Sequence, residues 1–103
     1  MDKINILYTG RHPEILETVV RLINQNESWK GYGAADNEVA ISLFTEVDFA
    51  IVLLGCGIPE EEESELRKVF TSHNPQCRIV QHYGGGSGLL SNEIYAALHD
   101  VYA

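Results

Sequence analysis

Two loops and one glycine-rich stretch carry the side chains of this chain that could do chemistry. The first loop is "TGRHP", where Arg11 and His12 follow Thr9 and Gly10. The second is "GCG", with Cys56 between Gly55 and Gly57. The third stretch is "HYGGGSG", where His82 and Tyr83 precede Gly84, Gly85, Gly86, Ser87 and Gly88. Glycine-rich backbone leading into a helix offers N–H donors to an anion, and Arg11 would add a cation. The stretch lacks the Lys-Ser/Thr ending of a P-loop, and its spacing does not reproduce GxGxxG. A thiol beside an imidazole is a second chemistry, in which His12 or His82 activates Cys56 as a nucleophile. Cys56, His12 and His82 could instead hold a metal. The bland alternative is that both histidines are solvent-exposed and the glycines only let the chain turn. No cofactor is implied, no zinc motif is present, and the alternatives stay open at this level.

Such residues act together only if the fold gathers them. "KINILYTG" (3 to 10) reads as a strand that stops at a glycine. "HPEILETVVRLINQN" follows as a helix, with Pro13 in its first turn and Ile15, Val19, Leu22 and Ile23 on one face. "WKGYGAAD" (29 to 36) is a weak edge strand interrupted by Gly31 and Gly33. Asp36 caps a second helix, "NEVAISLFTE", with Val39, Ala40, Leu43 and Phe44 inward. "VDFAIVLLG" (47 to 55) is apolar without alternation, the pattern of a parallel strand covered on both faces. A third helix starts near Pro59 and buries Leu66, Val69 and Phe70; its acidic run, Glu60 to Glu63, reads as a solvated cap that compensates the helix dipole. "CRIVQHY" (77 to 83) is a fourth strand, and "NEIYAALHDVYA" closes the chain as a helix.

Alternating strands and helices with right-handed crossovers predict one α/β domain over residues 1–103, a three-layer sandwich. The expected sheet is parallel, of four strands in the order 2-1-3-4, with two helices on each face. The first and last helices should share one face. Ligands of such sheets bind beyond the carboxyl ends of the strands, where strand order reverses. That rim collects Arg11, His12, Gly55, Cys56, His82, Tyr83, Gly84, Gly85, Gly86 and Ser87 as candidate ligand- or anion-binding residues.

Composition narrows the partners. Fifteen acids against seven bases leave a net charge of −8, which disfavours nucleic acid and anionic membranes. A hydrophobic content of 45% fits a folded domain. No apolar run approaches a membrane span, and "MDKINILYTG" lacks a signal peptide's cleavage region, so a cytoplasmic address is expected.

The segment "DFAIVLLGCGIPEEEESELRKVFTSHNPQCRIVQH" resembles the middle of a bacterial response-regulator receiver domain. In that family an Asp-led hydrophobic strand ends in the phosphoacceptor aspartate, and a proline follows four residues later. A helix then leads to an "NP" turn and the next strand. Asp48, the strand 49 to 54, Pro59 and Asn74-Pro75 match this pattern, and "INILYTGRHPEILETVVRLI" resembles the family's first strand and helix. The likeness covers roughly residues 3 to 83. It implies a flavodoxin-like fold and a place in signal transduction.

The departures from the family lie at the chemistry. Gly55 stands at the phosphoacceptor position, and Gly10, Arg11 and His12 stand where the family's acidic pair holds magnesium. Gln81 and His82 replace its Ser or Thr, and no fifth strand is found to carry its lysine. Without a carboxylate nucleophile or carboxylate metal ligands, aspartyl phosphorylation is unavailable. The function expected is therefore a non-phosphorylatable, receiver-like interaction module of bacterial signalling. A small-ligand or anion-binding domain is the alternative, and an enzyme with a Cys56 nucleophile the third reading. The protein partner is unnamed by the sequence. The fourth strand would be an open edge, with Arg78 its one charge; a homodimer through that edge is the expected association, and a monomer whose glycine loop or last helix folds back over the edge is the alternative.

Overall fold

Apolar runs with different periods set the elements. The computed structural model describes residues 3–55, 57–82 and 87–102, apart from the side chains at 87–89, 91 and 99–102. In order these are β1 (Ile4–Thr9), α1 (Pro13–Asn24), β2 (Trp29–Ala34), α2 (Asn37–Glu46), β3 (Ile51–Leu54), α3 (Glu60–His73), β4 (Arg78–Gln81) and α4 (Ser87–Tyr102). Pro13 opens α1 behind His12, which is the N-cap but makes no side-chain cap bond. Asp36 caps α2, its Oδ1 accepting from the Val39 N–H at 2.9 Å.

The four strands form one parallel sheet in the order β2-β1-β3-β4. Every residue of β3 is fully buried, as a strand covered on both faces must be. Alternation along β1 divides the core. Ile6 and Tyr8 face α1 and α4, meeting Val19, Ile23, Leu90, Ile94 and Ala97. Leu7 faces α2 and α3, among Ala40, Phe44, Leu66 and Phe70. The first and last helices thus share one face and the middle two the other, as expected.

Element boundaries moved where side-chain pattern outran backbone pairing. The expected strand 47 to 55 pairs only over Ile51–Leu54, and the strand 77 to 83 only over Arg78–Gln81. Helix α4 begins at Ser87 rather than Asn92, so Ser87 and Gly88 belong to its first turn and not to a loop. Ile15 and Val39, expected inward, are 41% and 43% exposed. Each lies in the first turn of a helix, beyond the carboxyl end of the preceding strand, where no sheet remains to cover it. Tyr95, also exposed, rests against buried Trp29 with ring centroids 5.1 Å apart.

Candidate functional site

Strand order reverses between β1 and β3, and the candidate residues follow from what those strands present at their carboxyl ends. The backbone there is tightly joined: the Gly55 N–H donates to the Thr9 carbonyl at 2.7 Å, and Gly10 N–H to the Ala34 carbonyl at 3.2 Å. Tyr8, two residues before Gly10, is 1% exposed and turns its ring across this junction. A Cβ built on Gly55 would stand 2.1 Å from the Tyr8 Oη and 2.5 Å from its Cζ. Real Cβ contacts never approach so closely. The space that a side chain at position 55 would need is therefore filled by a phenol.

On the α2/α3 face, Arg11 is drawn inward. Its Nη1 donates to the Ala35 carbonyl at 3.2 Å and its Nη2 to Glu62 Oε1 at 2.9 Å. The Asn37 side-chain oxygen accepts from Nη2 as well, and the Asn37 amide donates to the Glu62 carbonyl at 3.2 Å. A guanidinium presents its donors as a rigid fork, and carboxylate and amide oxygens from two different helices fill it here. The acidic run is consequently more than a solvated cap: Glu62 holds Arg11, and Glu63 pairs with Arg67 at 3.1 Å. An anion at the rim would compete with Glu62 for Arg11. His12 is exposed, and Arg11 and His12 crowd the loop after β3. Gly57 turns there with φ +84°, and a Cβ on it would stand 3.1 Å from Arg11 Cβ and 3.4 Å from His12 Nε2.

On the α1/α4 face, His82 is 4% exposed, not the solvent-exposed loop residue of the bland reading. Its Nδ1 lies 2.6 Å from Glu93 Oε1, and its ring meets Tyr8 edge-on at a centroid distance of 6.1 Å. A carboxylate can only accept, so Nδ1 carries the proton. The pair ties the end of β4 to α4. Glu93→Ala should cost about 1–3 kcal/mol in urea denaturation, the penalty for leaving a buried donor without its acceptor. Glu93→Gln should recover much of that, since its amide oxygen still accepts. Parent-like stability of the alanine variant would show that the contact is incidental.

The structure thus brings Arg11, His12 and Gly57 together and places His82 beside Tyr8 and Gly55 on the other face. Cys56, Tyr83, Gly84, Gly85 and Gly86 lie outside the described residues, and Ser87 is described only as the start of α4. Tyr8, Asn37, Glu62 and Glu93 are partners that sequence reasoning missed. Two of them leave a signal in hindsight. A bulky aromatic next to a strand-end glycine pair, Gly10 and Gly55, marks a ring looking for room. Glu93 is a lone acid within the apolar stripe Leu90, Ile94, Ala97.

A groove of about 1390 Å³ lies at the opposite end of the sheet, with Lys3, Asn5, Lys30, Tyr32 and Asp48 among its lining. Cys77 borders it. Burial, and then the Asp48 charge, push its thiol up to about 12, which keeps it protonated and unreactive.

Comparison with known proteins assigns the fold. No protein-family model and no curated protein sequence matches this chain. Among solved structures, the chemotaxis response regulator CheY4 of Vibrio cholerae is similar with a TM-score of 0.78 and 13% identity, covering 92% of this chain and 98% of that one. A response-regulator receiver domain protein of Clostridium thermocellum is similar at 0.77 and 13% identity, over 94% and 95% of the two chains. The RcsB–DNA complex structure matches at 0.75 and 16% identity, and this chain spans 62% of that regulator's length. The architecture is that of a response-regulator receiver domain, with four strands described.

Proposed function

We propose that this chain is a signalling module of receiver type that takes no phosphoryl group and works through protein contacts. One observation carries the reading: the Tyr8 phenol occupies the space above Gly55, the position that in the resembling family bears the phosphoacceptor. Phosphoryl transfer to aspartate needs a carboxylate nucleophile with room for in-line attack, and a metal to neutralise charge. Here the nucleophile is absent and its space is filled. Arg11, bound to Glu62 and Asn37, stands where the acidic metal ligands would be. A fixed internal cation thus takes the place of an exchangeable one.

A cytoplasmic location fits a signalling module of this kind. No described helix is long and apolar enough to cross a membrane. What the RcsB complex does with DNA belongs to that longer protein; a net charge of −8 gives this chain no general attraction to phosphate backbones. Its partner is a protein, and β4, the last strand of the sheet among the described residues, offers an edge for one, a second copy of the chain included.

A second reading, a small anion held at the rim, rests on Arg11, His12 and Gly57 meeting at the loop after β3. Incubation with acetyl phosphate, or with beryllofluoride, in the presence of magnesium separates the two. The expected result is no mass increase and no perturbation of rim resonances. Addition of one phosphoryl group, mapped to Asp48 or any other aspartate, overturns the main reading. Saturable shifts at Arg11 and His12 with inorganic phosphate alone would move the function to anion binding.

A further inference from the structure

The groove of about 1390 Å³ lies where α2 and α3 end and the strands begin, remote from the rim. Its floor includes Tyr32 of β2, half-buried and edge-on to Phe49 at a centroid distance of 5.1 Å. Its walls are the last turns of the two helices, through Glu46 and His73, and the connection after α2, through Asp48. The last carbonyls of a helix have no N–H partner within it, and they form its negative dipole end. Two such ends line the groove.

Charge placement breaks a local rule at this point. Bases are favoured in the last turn of a helix, and acids are not. Yet the last turn of α2 holds no base and ends in Glu46, and Asp48 follows two residues later. Among the described residues neither acid forms an ion pair. Burial raises the Cys77 thiol and the Asp48 charge raises it further, so that charge acts within the groove. The chain supplies a cation of its own: Lys30 Nζ stands 5.2 Å from the centroid of the Tyr32 ring, paired with no described carboxylate. Lys3, the other base of the lining, is exposed and equally unpaired among the described residues. Both ammonium groups ride on flexible stems that can turn to solvent. Real proteins break such rules where function outweighs stability.

We infer that this groove docks an arginine-bearing segment of a partner protein, whose guanidinium takes the place of Lys30 on Tyr32 and faces Asp48 and Glu46. The inference rests on the reading of the chain as a protein-contact module, and gives that module a surface and a partner chemistry. A guanidinium is planar, stacks on aromatic faces and is more weakly hydrated than an ammonium, so it replaces a lysine there with gain. Its five N–H donors suit carboxylates and helix-end carbonyls together. The groove exceeds the ~300–1,000 Å³ of small-molecule sites, which leaves room for an extended segment. A net charge of −8 steers a basic partner towards it.

The test is an NMR titration of the full chain at low ionic strength with acetyl-Gly-Gly-Arg-Gly-Arg-Gly-Gly-amide. Saturable shifts are expected at Tyr32, Asp48 and His73, with weaker binding of the peptide that carries lysine in place of arginine. Glu46→Gln combined with Asp48→Asn should weaken binding roughly fivefold or more. Glu60→Gln combined with Glu61→Gln makes the same change of charge at the opposite end of the sheet, and should weaken it by less than about twofold. Lys30→Ala should tighten binding by vacating the Tyr32 ring, and Arg21→Ala, on the other face of the sheet, should not. Equal losses from the two acidic pairs would show general attraction to a negative surface and overturn the inference. Equal affinity for the lysine peptide overturns it too, as does arginine amide binding as tightly as the peptide, which would make the groove a small-molecule site. Absence of binding also overturns it but leaves the phosphorylation-blind reading standing, since only phosphoryl incorporation removes that.

Discussion

Gly55→Asp, which puts a carboxylate back at the end of β3, is expected to unfold the chain rather than make it phosphorylatable. The new Cβ would fall 2.1 Å from the Tyr8 Oη, and the ring is 1% exposed and flanked by His82. Overpacking of a filled core costs about 1–3 kcal/mol. An ionised carboxylate forced into the same place adds a desolvation penalty of several kcal/mol. Against a total stability of about 5–15 kcal/mol for a small domain, the sum is close to ruinous. Circular dichroism and urea titration of Gly55→Asp measure the whole effect, and Gly55→Ala isolates its steric part. A Gly55→Asp variant that melts like the parent and binds beryllofluoride with magnesium would mean that Tyr8 swings aside, and the reading of a blocked site would fall with it.

Tyr8→Ala carries the next largest effect, and it tests the same contact from the other partner. Removing a fully buried aromatic side chain costs about 3–5 kcal/mol, through lost transfer energy and the cavity left behind. Here the cavity would open above Gly55, where a receiver of ordinary type has its acceptor. Gly55→Asp should then be much less costly in the Tyr8→Ala background than in the parent. Residues in direct contact couple by about 0.5–3 kcal/mol in such cycles, and a steric overlap of this depth belongs at the upper end. Chemical denaturation of the parent, both single variants and the double variant gives the coupling. Additive costs would show that something other than the Tyr8 ring keeps a side chain out of position 55.

Sheet order and helix placement were legible in the residues alone. "IVLL" flanked by apolar residues reads as a strand covered twice because no polar residue interrupts it, and a doubly covered strand needs helices on both sides. Asp36 reads as a cap because a short acceptor ahead of an apolar helix has one obvious use. The strand ends were less legible. Val47 and Phe49 belong to the core by hydrophobicity, yet β3 pairs only from Ile51, since burial and backbone pairing are different demands. Ile15 and Val39 fit their helical stripes, but a stripe does not say where the sheet beneath it stops.

What the sequence determined by itself was everything with a short period or a local chemical absence. Strand and helix runs, their alternation into a parallel sheet, and the bare glycine at position 55 all show within a few residues of chain. Only the tertiary structure decided which groups meet at the rim. Arg11 finds Glu62 across 51 residues, His82 finds Glu93 across a connection and a helical turn, and Tyr8 finds the void at Gly55 from a different strand. Each of these pairings depends on where a helix lands on the sheet and which way a strand residue alternates. The energy that selects them is the cost of burying a charge or a hole without a partner, which no local pattern of residues records.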